Sequence, residues 1–355
     1  MIPSTNKQPV KYREVERALR QEIAAGRWNG GDQLPGEYDI ARTYNVSYLT
    51  VRQAVATLVN DGTLFRVRGK GTFVVDKASS EPIATTRHQM ALLFPTNWMR
   101  RDPYYFPDIL QGFQYVMDKG GHHVSLLNDN IADAPGGLPP GSAVACLLVD
   151  DAHVQLVERL RDSGHRVLGI NRYTGRRSIP SVRIDDQHGV ELAVDFLVSL
   201  GHERISFLRG PEGNLDATDR RDGFRSAVAR HNLQITNEAG DDFGEAAGHD
   251  AAQELLALSN RPTALICASD LAAIGAIRAA EDLGFSVPRD LSVVGFGDFS
   301  VAHYVRPSLT TIRQSRVALG RTAGERLIRL AKGEDVTDVV LPAELIVRES
   351  TAARA

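Results

Sequence analysis

VSYLTVRQAVATLVNDGTLFRVRGKGTF, residues Val46–Phe73, sets a helical pattern directly against a strand pattern. In its first half Val51, Val55, Leu58 and Val59 recur three and four residues apart, which predicts one buried helix stripe. Ser47 stands just before that helix, where a hydroxyl satisfies a free backbone N–H. The outward side then carries Leu49, Arg52, Gln53, Ala56 and Thr57, with Tyr48 at the helix start and Thr50 at the margin. A generic solvated face is rich in Glu and Lys, whereas this one is small, apolar and hydrogen-bonding. Such groups suit base edges: Arg pairs with guanine, Gln with adenine, and an apolar chain meets a thymine methyl. After Gly62 the runs LFRV and TFVV flank the turn RGKG, which predicts a hairpin. Its glycines allow close backbone approach, and Arg68, Gly69 and Lys70 would present positive charge and bare backbone to phosphate.

Upstream, Val15, Leu19 and Ile23 predict a helix over Tyr12–Ala25, which Gly26, Gly30, Gly31 and Pro35 terminate. A second short helix fits Glu37–Tyr44. Helix, turn, helix and basic hairpin form the winged helix-turn-helix layout, with the third helix in the major groove and the wing at phosphate or minor groove. The bland alternative is a small helical domain with a solvated basic turn. The capped helix with its polar outer face and the basic wing together favour DNA; residues 1–77 also hold 12 Lys/Arg and 8 Asp/Glu, while the remainder holds 29 and 36, within an overall net charge of −3, which suggests an anionic partner for the head.

At 355 residues, 43% of them hydrophobic and 24% charged, the chain exceeds one ordinary core and predicts two or three domains. It has no apolar run long enough for a membrane helix, and MIPSTNKQPVKYREVERALR lacks the apolar centre of a signal peptide, so the expected location is cytoplasmic. Cys146 and Cys267 each sit in an apolar run, as expected of buried free thiols. Neither a metal nor a cofactor is expected.

The stretch DKASSEPIATTRHQ is polar and aperiodic, which divides the chain into a head over residues 1–76, a linker over 77–89 and a body over 90–355. In the body, short continuously apolar runs (MALLFP, AVACLLVD, RVLGI, RISFLRG, ALICAS, LSVVGF) alternate with helical segments. That alternation predicts an α/β body of parallel sheets flanked by helices, long enough for two lobes. Ligands of such sheets bind beyond the carboxyl ends of the strands, which singles out Pro95–Asn97, Asp150-Asp151, Asn171-Arg172, Gly210-Pro211, Ser269-Asp270 and Gly297-Asp298. No phosphate loop, GxGxxG, HExxH or GxSxG motif follows a strand, so an enzyme is not expected. Phe106, Arg220 and Asp270 together offer a ring face, a bidentate donor and an acceptor, a combination that suits a sugar. Each has a structural alternative. Asp270 and Asp185 both precede helices and equally fit N-caps, Arg220 fits a solvated first turn, and the Tyr104–Phe106 run fits a core.

YREVERALRQEIAAGRW, GDQLPGEYDIA, YNVSYLTVRQAV and GTLFRVRGKGTFV resemble the DNA-binding domain of the GntR family from end to end. The resemblance implies DNA contacts from Thr50 and Arg52 on the helix and from Arg68 and Gly69 on the wing. Tyr38 and Tyr48 stand where that family commonly has arginines, so the docking mode carries over and the operator sequence does not. SVRIDDQHGVELAVDFLVSLGHERISFLRG, RRDGF, PTALICASDLAAIGAIRAAEDLGFSVPRDLSVVGFGD and PSLTTIRQ are similar to the LacI family's effector domain, a periplasmic-binding-protein-like body with two lobes and three crossovers. It implies that Arg220 and Asp270 bind the effector, with Phe106 and Phe243 as pocket aromatics; by position alone, Arg172 after a strand and Asp185 before the helix of the second lobe are further candidates. Gly297 in GFGD departs from the family's Asp.

The pairing, as in arabinose repressors, implies a homodimer on a pseudo-palindromic operator that a small sugar releases. A co-repressor-dependent regulator and a sugar-binding protein without a DNA role are the alternatives.

Overall fold

Apolar residues spaced four apart wind Pro9–Ala24 into the first helix, α1, of the computed structural model. The structure describes residues 9–60, 63–67, 71–74, 90–94, 104–128, 138–148, 151–171, 173, 175, 178–233 and 237–354. The linker 77–89 lies outside them. Two compact units divide the chain, Met1–Arg87 and His88–Ala355.

In the first unit α2 (Glu37–Thr43) and α3 (Tyr48–Asn60) follow α1, and β1 (Leu64–Val67) pairs antiparallel with β2 (Gly71–Val74). Val15 and Leu19 of α1, Ile40 of α2 and Val51, Ala54, Val55 and Leu58 of α3 close one core with Leu64 and Val74. The α3 stripe thus includes Ala54, and Val59 is half-buried at its edge. Ser47 caps the helix as expected, its hydroxyl accepting from Thr50 N–H at 3.2 Å. A third extended segment was not expected: Gln33 bridges to Phe73, and Leu34 N–H donates to the Thr72 carbonyl at 2.8 Å. One bridged residue carries no period, so only tertiary pairing reveals it.

The second unit holds two sheets. Parallel strands β3 (Met90–Phe94), β4 (Val124–Asn128), β5 (Ala143–Leu147), β6 (Arg166–Ile170), β7 (Ser181–Ile184) and β13 (Val339–Leu341) form the N-terminal lobe in the order β13-β7-β6-β5-β3-β4. Helices α4 (Tyr105–Lys119) and α5 (Asp151–Asp162) belong to it. The C-terminal lobe orders β14 (Ala343–Ile346), β12 (Thr310–Gln314), β11 (Ser292–Gly297), β10 (Ala264–Cys267), β8 (Ile205–Leu208) and β9 (Glu238–Ala239). Its pairs are parallel except β12–β14, where the returning chain runs antiparallel along the edge.

Among the described residues the chain changes lobe three times, leaving β7 for α6 (Asp186–Ser199), β12 for α10 (Arg316–Ala331), and β13 for β14. Helix α6 packs on α7 (Leu215–Arg230) of the C-terminal lobe, and α10 returns to pack on α4. Backbones touch at that last contact: a Cβ on Gly112 would overlap the Val317 carbonyl, and one on Gly320 the Ile109 carbonyl. Helices α8 (Glu245–Leu256) and α9 (Asp270–Asp282) pair on the other face of the second sheet.

Candidate functional site

The outward face of α3 is built as its spacing predicts. Arg52 and Gln53 are exposed, Leu49 is 70% exposed, and Ala56 and Thr57 are half-covered. Among the described residues, neither a hydrogen bond nor an ion pair engages the side chains of Arg52 and Gln53. Ser47 and Thr50 share a 2.8 Å hydrogen bond between their hydroxyls, which ties the helix start together. The two tyrosines find each other. Tyr38 and Tyr48 stack with centroids 4.5 Å apart and planes 17° from parallel, and Tyr38 remains 68% exposed. An aromatic pair therefore stands where arginines were expected, joining the first turn of α2 to that of α3. Arg68, Gly69 and Lys70 at the wing tip lie outside the described residues.

In the body, the residues that converge are partly those foreseen. Arg220 on α7 is 5% exposed; its Nε and Nη2 donate to one oxygen of Asp186 at 3.0 and 2.9 Å, and its Nη1 to the Ala268 carbonyl at 2.6 Å. Gln314, at the end of β12, donates to the other Asp186 oxygen at 2.9 Å. Phe296 and Phe243 lie under the guanidinium, its carbon 4.1 and 5.4 Å from their ring centres. Burial raises the Asp186 carboxyl above the usual range while Arg220 and Gln314 hold it back. Nearby, the Tyr105 hydroxyl donates to Asn171 Oδ1 at 3.0 Å, and Asn171 Nδ2 donates to Asp216 at 3.1 Å. Asn171 closes β6 in the left-handed region, φ 74°, which asparagine tolerates. The Asp216 carboxyl, buried and facing Asp186, is pushed up to about 8. It therefore carries a proton at neutral pH, and the cluster holds less negative charge than its acids suggest.

One of these bonds spans the lobes. Asn171 belongs to the N-terminal sheet and Asp216 to α7 of the other lobe. Arg316, at the start of α10, pairs with Asp108 at 2.9 Å, donates to the Gly297 carbonyl and lies over the Phe299 ring. Tyr104 stacks on Phe299 from the N-terminal side, centroids 5.4 Å apart.

Other expected members lie elsewhere. Asp185 is the N-cap of α6, accepting from His188 N–H at 3.2 Å, and its neighbour Asp186 turns inward instead. Asp270 is not the cap of α9; Ser269 takes that position. The Asp270 carboxylate is fully buried, accepting from Phe299 N–H at 2.6 Å and from the Thr311 hydroxyl, and burial pushes it up to about 6. With both oxygens so engaged, it holds the Phe299 loop. Phe106 packs against Phe94 at 4.7 Å in the core, 3% exposed. Arg172, Pro95–Asn97 and Asp150 fall outside the described residues. Gly297 has φ 135°, and a Cβ there would press on the Phe299 ring, which accounts for a residue without a side chain at that place. Sequence reasoning singled out Asn171 at a strand end but missed Asp186, Asp216 and Gln314 as partners. The only signal was the acidic pair at 185–186 before a helix, and it does not say which of the two turns in.

Residues 11–74 match the family described as bacterial regulatory proteins, gntR family, and residues 194–351 match the periplasmic binding protein-like domain. The arabinose metabolism transcriptional repressor of Geobacillus stearothermophilus is 29% identical over 96% of this chain and 97% of its own length. The probable HTH-type transcriptional repressor ExuR of Bacillus subtilis (strain 168) is 25% identical over 88% and 97%. Among solved structures, a LacI family transcriptional regulator from Mycobacterium smegmatis superimposes with TM-score 0.64 and 29% identity, covering 75% of this chain and all of that one.

Proposed function

This chain is a transcription regulator that joins a GntR-type winged-helix head to a LacI-type, periplasmic-binding-protein-like body, and on that premise we propose that it represses sugar-utilisation genes until a small sugar releases it. The observation that carries the reading is the lobe-spanning cluster of Arg220, Asp186, Asn171 and Asp216, set in the same chain as the open Leu49-Arg52-Gln53 face. The cluster presents hydroxyl-binding groups around ring faces at the seam of two lobes, as a sugar requires. A ligand entering there has to exchange inter-lobe bonds for its own, and so favours one lobe angle over another. Coupling of this kind amounts to about 1–3 kcal/mol in DNA affinity.

In this reading residues 1–76 bind DNA, 77–89 link, and 90–355 bind the effector and dimerise, placing two heads on a pseudo-palindrome. Ser47, Tyr48, Thr50, Arg52 and Gln53 contact DNA from α3, and Arg68, Gly69 and Lys70 from the wing. Arg220, Phe243 and Arg172 contact the effector, while Asp185, Asp270 and Phe106 support the cleft. The protein acts in the cytoplasm and turns nothing over; the relatives reported above are transcriptional repressors.

The test is binding of the purified chain to labelled DNA from upstream of its own gene, at fixed salt, with and without a panel of sugars. Tight binding relieved by one sugar is expected. Binding that a sugar strengthens makes the effector a co-repressor, and no specific binding across the panel overturns the reading.

A further inference from the structure

Beyond the ends of β8 and β9 the C-terminal lobe holds a cavity of about 350 Å3, which Arg209, Gly213, Thr218, Arg221, Gly240 and Asp241 help to line. That volume is at the lower end of small-molecule sites, about 300–1,000 Å3. Arg209 leaves the end of β8, Gly240 and Asp241 follow β9, and Thr218 and Arg221 stand one turn apart on α7. The Arg220 cluster is absent from its lining. Gly210 backs onto the Phe243 ring, and that ring lies on the Arg220 side, so the two sites share a wall and not a floor.

Two arginines in this cavity lack the acidic partner that several other arginines of the lobe have. Arg225 pairs with Glu238, Arg313 and Arg348 with Asp298, and Arg289 with Asp290. Arg209 and Arg221 form no side-chain hydrogen bond and no ion pair among the described residues, and the Nε of each is closed off from solvent without an acceptor. Glu212 and Asp241 also border the cavity, yet neither reaches either guanidinium. A shielded N–H without an acceptor is a cost that an incoming oxygen removes, and a planar guanidinium presents paired N–H groups at the spacing of carboxylate or phosphate oxygens. Gly213 and Gly240, both at positive φ, line it with bare backbone.

We infer that this cavity is a second ligand site, which takes the oxyanion group of a small metabolite between Arg209 and Arg221. Phosphate and carboxylate share the required chemistry. The Thr218 hydroxyl and the two acids on the rim then face the remainder of the molecule, as suits a phosphorylated or carboxylated polyol. The site stands apart from the sugar-release reading, and the two fail separately.

Calorimetric titration of the full chain tests it, with inorganic phosphate, glucose 6-phosphate, gluconate and, as the neutral control, glucose. At least one anion is expected to bind saturably at one equivalent per chain, at least tenfold more weakly in Arg209→Gln and in Arg221→Gln, and not at all in the double variant. Arg225→Gln, outside the cavity, should leave that binding unchanged. The phosphate ester winning over gluconate names phosphate as the group; the reverse names carboxylate. Should a Gln variant misfold by circular dichroism, Arg209→Lys keeps the charge and removes the fork, and the same weakening is expected. No saturable binding of any of the three anions, or binding undiminished in the double variant, overturns the inference. DNA release by sugars is read in its own assay, so a failure here leaves the repressor reading standing.

Discussion

Asp216 and Asp186 sit together in the body with one arginine between them, and burial sets their behaviour. Unfolded, Asp216 titrates near the ordinary aspartate value of about 4; folded, burial and the neighbouring Asp186 push it up to about 8. Between those values the folded state holds the extra proton, so stability falls as pH rises and the penalty is complete above about pH 8. Asp270, raised to about 6, adds a fall of the same sign that ends near that pH. Asp216→Asn keeps the shape and removes the titration. Its melting temperature should therefore change less than the parent's between pH 6 and 8, and parallel curves would remove the protonated Asp216 from the account. Arg220 carries a second prediction, because Arg220→Gln leaves the buried Asp186 facing Gln314 alone. Loss of one partner from a buried ion pair costs about 3–5 kcal/mol, measurable by urea unfolding. Adding Asp186→Asn should restore a substantial part; a double variant as unstable as the sum of the singles would show that the pair is not coupled.

At the scale of elements, α3 divides its labour by face. Its inward side is fixed by Val51, Ala54, Val55 and Leu58, none more than 1% exposed, so the outward side keeps one orientation. Arg52→Ala should weaken binding to the preferred operator by about 1–3 kcal/mol and relax the sequence preference at one base step. Tyr48→Ala works differently. It removes half of an uncharged stack, so affinity should drop while the slope of log affinity against log salt stays that of the parent. A shallower slope would instead place a phosphate contact at that helix start. The α3 pattern was legible in sequence because a helix writes its buried face at a fixed interval. The Tyr38–Tyr48 stack was not, since the nine residues between them include a turn.

For the body as a whole, closure rests on a short set of inter-lobe contacts: Asn171 to Asp216, Arg316 to the Gly297 carbonyl, and Tyr104 on Phe299. Hydrogen bonds of this kind contribute about 1 kcal/mol each, so under the proposed sugar-release mechanism the loss of one should shift the balance of lobe arrangements measurably. Asn171→Ala removes donor and acceptor together. Small-angle scattering of the ligand-free variant should then show a larger radius of gyration than the parent, and the effector should bind about fivefold more weakly because closing gains less. Unchanged scattering would show that the remaining contacts hold the lobes by themselves.

The sequence by itself determined the winged head and the alternation of buried parallel strands with helices. Each is written locally, as a period, a cap or a short motif. Tertiary structure alone decided that Asp186 turns inward while Asp185 caps, that Ser269 caps while Asp270 holds the Phe299 loop, and that Phe106 fills core. Adjacent helix residues point about 100° apart, and which of the two meets a partner depends on where distant chain returns. Arg220 lies 34 residues beyond Asp186, and Gln314 lies 128 beyond it. No local period spans such distances; only the packing of α6, α7 and β12 within the C-terminal lobe brings those groups within hydrogen-bond reach and removes the water that would otherwise keep them apart.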